Sequence, residues 1–285
     1  MKLLKLVAAI TALTASVNVN AAGAIDLFTA PTGETLVSVS TLDGVGSTDF
    51  IQVNDNDDPG SILGGYRDME VKLLAEGTSP SQSVSMTTYN GVLSFSNGSG
   101  VTGKGTLQWD GDDSAGGAET LDTTGLGGID LLELGNAFSF EVITADHDFD
   151  FSIGLYDMNG GSVVFDLAAN QGTHTATDIA FSYFSDAFNP QAALGGLSVC
   201  DVFGIGSGGF DVDGGHVNHV ICSGTSLDLS NIGAIETVIN TNGGTAEVQL
   251  TIGSITAVPE PSSLALIGLG LMATGFASKR KSNKA

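Results

Sequence analysis

The chain has 285 residues, 32 acidic against 9 basic, for a formal net charge of −23 at pH 7. A surface of that sign excludes nucleic acid and anionic lipid as natural partners. Two cysteines among 285 residues exclude both a disulfide-dense scaffold and a cysteine zinc framework.

In chain order, Met1-Lys2-Leu3-Leu4-Lys5 is a cationic start, Leu6 to Val17 an apolar run, and Asn20-Ala21-Ala22 and Ala22-Gly23-Ala24 are small-residue cleavage signals. This order predicts a signal peptide over residues 1–24, cut after Ala22 or Ala24; the alternative is a buried N-terminal helix. Residues 25–257 form the body, long enough for one large domain or two small ones. It holds 31 acidic residues, and its only cations are Arg67, Lys72 and Lys104. Self-repulsion on that scale calls for screening, by divalent cations or by salty surroundings.

The body reads as all-β. Short β-branched or aromatic runs recur at Thr35–Leu42, Met69–Leu74, Gly91–Ser96, Gly105–Trp109, Ala137–Ile143, Phe149–Asp157, Ser162–Ala168, Ile179–Phe184, Gly196–Phe203 and Ala246–Val258. Phe138, Phe140 and Val142 alternate with Ser139 and Glu141, which gives one apolar and one polar face. Asn159-Gly160-Gly161 reads as a hairpin turn, and Asn242-Gly243-Gly244 repeats the signal before the last strand. Many short strands with 40 glycines and no fixed-period repeat predict a β-sandwich, jelly-roll-like.

Oxygen-rich clusters are the candidate cation sites. Asp146-His147-Asp148-Phe149-Asp150, read as a strand, would place Asp146, Asp148 and Asp150 on one face about 6.5–7 Å apart. His147, Phe149, Phe151, Ile153 and Leu155 would then face the core. Such a ladder of like charges asks for solvent or Ca²⁺. The loop Asn54–Gly60, with Asp55, Asp57 and Asp58, is denser in ligand oxygens, but no glutamate follows at EF-hand spacing. Asp110 and Asp112 form a third cluster, and Asp211 and Asp213 a fourth. The solvated face or plain acidic turn is the alternative reading of each.

His216 and His219 have the spacing of a zinc pair on a helix, but on a strand they are expected to diverge. Gly204-x-Gly206-x-x-Gly209 has the letters of a dinucleotide fingerprint without the strand–helix context, so it reads as a loop. Trp109, Tyr66, Tyr89, Tyr156 and Tyr183 are available for stacking on a sugar or for core packing. Acidic pairs are abundant and none is singled out as a glycosidase pair. Cys200 and Cys222 predict a disulfide if the chain is exported, and two buried thiols if it is not. Closing a loop of that length stabilises by roughly 3 kcal/mol.

Residues 258–285 have three parts in a fixed order. Pro259-Glu260-Pro261 breaks any helix or central strand. The apolar run Leu264–Ala277 follows, close to the lower limit of about 17 residues for a span when counted from Ser262 to Ser278. Lys279, Arg280, Lys281 and Lys284 then hold the end on the cytoplasmic side and put the body across the membrane. The alternative is a greasy helix packed on the body.

This order resembles the PEP-CTERM sorting tail of exported bacterial proteins, a tail also labelled an ice-binding-protein C-terminal domain. The resemblance implies an exosortase as partner, anchoring in the inner membrane with a periplasmic body, processing near Pro259-Glu260-Pro261, and deposition at the cell surface or outside it. It also implies association with exopolysaccharide and biofilm. The expected function is a non-enzymatic matrix protein with Ca²⁺ as its candidate ion; a lectin-like carbohydrate-binding module and a polysaccharide hydrolase are the alternatives.

Overall fold

The computed structural model describes residues 23–77, 82–112, 120–169, 171–190, 197–200, 210–212, 215–241 and 243–259; of residues 169, 173–177, 210–212 and 215–219 it describes the backbone alone. Residues 1–22 of the signal-like segment and the tail beyond Pro259 lie outside the described residues.

Among the described residues sixteen strands form two antiparallel sheets packed face to face, a β-sandwich. The first sheet contains β1 (Gly23–Asp26), β2 (Thr35–Ser40), β5 (Ser83–Tyr89), β6 (Val92–Asn97), β8 (Ala137–Ala145), β11 (Gly172–Ala180), β15 (Gln249–Gly253) and β16 (Ile255–Val258). The second runs in the order β12 (Phe210–Val212), β13 (Gly215–Ser223), β10 (Ser162–Ala169), β9 (Phe149–Asp157), β14 (Ile232–Ile239), β7 (Thr102–Trp109), β4 (Tyr66–Ala75), β3 (Thr48–Asn54). The sandwich takes in Gly23 and Ala24, which pair with Ala257 and Thr256, and extends to Val258. It therefore exceeds the span 25–257 at both ends.

Alternation drives the layers. In β10, Val163, Phe165 and Leu167 are buried between the sheets, while Val164, Asp166 and Ala168 sit half-buried on the outer face. Val84 and Met86 of β5 and Leu93 and Phe95 of β6 supply the opposing layer. The turn Asn159–Gly161 joins β9 to β10 as the sequence predicts, and Asp157 organises it. Its Oδ1 accepts from Asn159 N and Gly161 N at 2.8 Å, and its Oδ2 from Asp228 N at 2.9 Å.

Three expected strands differ. Ala246–Val258 is loop as far as Val248 and then two strands, Gln249–Gly253 and Ile255–Val258, broken at Ser254. Thr35–Leu42 ends at Ser40 and turns into a 3-10 helix, where Asp43 accepts from the Ser40 N–H and hydroxyl. Ile179–Phe184 is strand only to Ala180, and a short helix Phe181–Asp186 follows. Tertiary packing overrides the aromatic β-propensity there. Phe181 and Phe184, three apart on one helical face, lie against Phe138, and Phe184 also meets Phe165 at 4.5 Å between ring centres. Of Gly196–Phe203, residues 196 and 201–203 lie outside the described residues.

The first strand is fastened by a buried ion pair. Arg67 Nη1 donates to both Asp26 oxygens at 2.6 and 2.8 Å, Trp109 Nε1 to Asp26 Oδ2 at 3.0 Å, and Phe28 N to Oδ1 at 2.8 Å. Arg67 Nη2 reaches Ala30 O and Thr88 Oγ1. Asp26 and Arg67 are both fully buried. Burial pushes the Asp26 carboxyl above its usual range, against the pull of Arg67. Trp109 is thus a core residue at 1% exposure, closed to sugar stacking. Cys200 and Cys222 are bonded, with Cα atoms 5.8 Å apart, and the bridge ties β13 to the segment after the helix Phe181–Asp186.

Candidate functional site

Four of the acidic-cluster carboxylates, those of Asp55, Asp110, Asp146 and Asp148, accept backbone N–H groups. Asp55 Oδ2 accepts from Gly60 N at 2.6 Å, and Asp58 accepts from the Thr29 hydroxyl. Asp110 is buried and accepts from Asp122 N at 2.9 Å. Asp57 and Asp112 are exposed. Short acidic side chains fit such turns because they cap the chain that bends around them.

Asp146, Asp148 and Asp150 do not form a one-face ladder. The strand begins only at Phe149, because the chain crosses between sheets at 146–148. Asp146 Oδ1 takes Gln249 N at 2.6 Å and Asp148 Oδ1 takes Gln171 N at 2.7 Å. His147 is exposed beside Asp146, not in the core, while Phe149, Phe151, Ile153 and Leu155 are buried. Among the residues whose side chains are described, no three His, Cys, Asp or Glu converge on a metal position.

A different site emerges on the outer face of the second sheet, one that no motif marks. Glu70 and Lys72 on β4, Lys104, Thr106 and Gln108 on β7, and Glu236 on β14 line an open groove of about 410 Å³. That is within the range of ligand pockets. The register makes it: Glu70 pairs with Thr106, Lys72 with Lys104, and Glu236 with Gln108, so all six side chains share one face.

Gln108 Nε2 donates to Glu236 Oε2 at 2.7 Å, and the Tyr156 hydroxyl approaches Glu236 Oε1 at 3.5 Å. Gln108 Oε1 is buried and accepts no hydrogen bond. Burial first, then the adjacent Glu236 charge, hold the Tyr156 phenol above its usual 10, so it stays a neutral donor. The groove carries two carboxylates and two ammonium groups, a locally balanced patch on a strongly acidic body. Its signal in the sequence is the position of Lys72 and Lys104, the body's only lysines. Alternation alone could not have put them opposite each other.

The other candidates sit apart from this groove. Tyr89 and Tyr183 are exposed, Tyr66 is half-buried at the start of β4, and only Tyr156 adjoins the groove. Residues 204, 206 and 209 and Asp213 lie outside the described residues. His216 and His219 lie on β13. Asp166 pairs with His219 and Ala168 with His216, so Asn218 is an extra, bulged residue and the register changes between them.

The end of the sandwich completes the functional geometry. Val258 closes β16, and its carbonyl accepts from Asn136 N at 2.8 Å. Pro259 follows with no linker. Residues 257–281 match the PEP-CTERM protein-sorting motif. The chain carries a PEP-CTERM sorting motif. It is thus an exported, exosortase-sorted protein, with the motif beginning inside the last core strand.

No curated protein matches the chain significantly. Among solved structures it is similar to PfGH50B, with a TM-score of 0.36 and 12% identity over 62% of this chain and 22% of that one. It is also similar to an exo-beta-agarase, with a TM-score of 0.35 and 14% identity over 68% and 22%. The agarase AgWH50C gives a TM-score of 0.35 and 13% identity over 66% and 25%. The match spans about a quarter or less of each of those proteins, and likeness at this level carries no argument about the body's activity. Among the described residues no helix is long and apolar enough to cross a membrane, and the apolar run 264–277 lies outside them.

Proposed function

We propose that this PEP-CTERM protein is a non-enzymatic component of the cell surface or extracellular matrix, whose body holds exopolysaccharide in the groove on the outer face of its second sheet. The carrying observation is that groove. It collects both lysines of the body with Glu70, Glu236 and Gln108, and it leaves the buried Gln108 Oε1 without a donor. A sugar hydroxyl supplies such a donor and also accepts from an ammonium group. The flat, half-buried ring of Tyr156 beside Glu236 adds an apolar edge of the kind sugars stack on.

Binding is favoured over hydrolysis by spacing. Glu70 and Glu236 lie on strands either side of β7 and two residues out of step, which separates their Cα atoms by about 12 Å. Gln108 fills the space between and is bonded to one of them. Polyanions are disfavoured by the charge of the body, so a neutral polysaccharide suits the groove better than an acidic one.

Affinity electrophoresis of the full chain through gels holding a neutral glucan, galactan or mannan, with alginate as the anionic comparison, tests this. Retardation by a neutral polymer that is lost in Lys104→Ala and in Glu236→Gln, with melting temperature unchanged, is the expected result. Unretarded wild-type protein in every gel would sink the proposal.

A further inference from the structure

We propose that a second groove, between the helix Phe181–Asp186 and the residues Leu132 and Leu229, holds the first residues of this chain's own tail, Pro259 to Ser263, and shields the sorting motif until it is processed. The groove has a volume of about 420 Å³, within the range of ligand sites. Phe181 and Leu229 are buried and floor it, Leu132 rises at its side 46% exposed, and Ser182 stands exposed at the start of the helix.

The point where the chain leaves the sandwich selects the occupant. Val258 and Ala180 both pair with Ala137, from opposite sides of β8. Neighbouring strands lie about 4.8 Å apart, so the helix that follows Ala180 begins about 10 Å from Val258. Asn136, which lines the groove, stands between them. Its N–H donates to Val258 O and its carbonyl accepts from Phe181 N, each at 2.8 Å. A Cβ at Gly135 would come within 2.7 Å of the Ala257 and Val258 backbone, so the departing strand packs directly on the segment that forms the groove wall. Five residues in the extended form that prolines favour span about 15 Å, enough to reach across.

The chemistry matches the position. Pro259 and Pro261 bring apolar rings and no N–H, so at those positions the segment offers carbonyl acceptors alone. Proline-rich segments dock in shallow apolar grooves flanked by donors. Here Leu132 above the Phe181 floor supplies the apolar contact and the Ser182 hydroxyl an O–H donor. The stiff proline segment also has little freedom to lose on docking. Asp228 on the rim repels Glu260, which turns the rings and not the carboxylate inward. A docked motif is closed to an enzyme that must take the same residues, so the body slows its own processing. That consequence rests on the sorting reading; the docking itself does not. Both are independent of the groove on β4, β7 and β14.

The test is a cysteine pair, Ser182→Cys with Ser262→Cys, in the full chain in detergent and a glutathione redox buffer. Most chains should form the new disulfide, read by the mass of the linked peptide, with the Cys200–Cys222 peptide intact. Leu132→Asp added to the pair should lower the linked fraction at least fivefold. Because Leu132 is exposed, that variant should melt as the parent does, and Leu132→Ser is the milder second variant. Leu42→Cys with Ser262→Cys should not link, since Leu42 follows β2 at the end of the sheet level with Ala145 and not Ala137. A linked fraction unchanged by both Leu132 variants would show that the tether alone brings the thiols together and would overturn the docking. Linkage no greater than with Leu42→Cys would overturn it too, and so would links between chains, which would make a second copy the occupant. In exporting cells Leu132→Asp should speed loss of the tail severalfold in a pulse-chase. Unchanged or slower loss, with the disulfide result as expected, would overturn the shielding and leave the docking standing.

Discussion

Two regions of this molecule place a carboxylate beside strong donors and put the arrangement to opposite uses. Around Asp26 everything is enclosed: both carboxylate oxygens accept from Arg67, and Trp109 and Phe28 add further bonds. At Glu236 the carboxylate takes one bond from Gln108 and a long approach from Tyr156, and the Gln108 acceptor beside it goes unused. The first arrangement is saturated and can only hold the fold. The second has capacity left and lies open to solvent. Saturation, more than charge, separates a structural carboxylate from one available for a ligand.

The sharpest way to break this comparison is to remove one partner from each. Arg67→Ala strands the Asp26 charge in the core and should cost about 3–5 kcal/mol, seen as a large fall in urea midpoint. Glu236→Gln in the groove should move stability by less than about 0.5 kcal/mol while abolishing polysaccharide retardation. Equal stability losses would mean that the groove is a structural network too.

The next effect concerns the core between these regions. A cavity of about 40 Å³ is lined by Trp109, Phe138, Val142, Phe151 and Ile252, among others. At about 24 cal/mol per Å³, filling it with Val142→Ile should recover up to about 1 kcal/mol. A lower melting temperature would show that the cavity does not admit the added methyl.

Sorting sharpens the contrast from outside. Replacing Pro259-Glu260-Pro261 with alanines should leave the chain in the inner membrane with its tail intact, as read by fractionation and mass of the C-terminal peptide. Normal release would contradict it. The smallest effect is electrostatic and exposed. Glu247 accepts from the Ser99 hydroxyl and then Gly100 N, which holds its carboxyl below the ordinary 4.5. A depressed folded-state pKa contributes stability that is present above about pH 4.5 and lost as pH falls through the lower folded value. Glu247→Gln should therefore flatten the acid limb of the stability profile slightly. An unchanged limb would assign no role to this cap.

Much of the fold was legible from alternation and turn residues: β9 spans Phe149–Asp157 as read, and the turn at Asn159–Gly161 joins it to β10. What the acidic clusters bond to was not legible, because composition shows that oxygens are near one another in sequence and not which groups they meet. At Asp146 and Asp148 they bond to backbone from distant strands. At His216 and His219 a one-residue bulge changes the register, and it leaves no trace in spacing. The groove was illegible because its residues come from β4, β7 and β14, more than 160 residues apart at the extremes.

By itself the sequence determined the class of the body, its acidity and its sorting motif. Those depend on local quantities: period-two hydrophobicity, net charge, and a short motif read in linear order by the sorting machinery. Only the tertiary structure decided which carboxylates are saturated and which lysines face each other. Those outcomes depend on strand order and register, which are set by how the whole apolar face packs and not by any one segment.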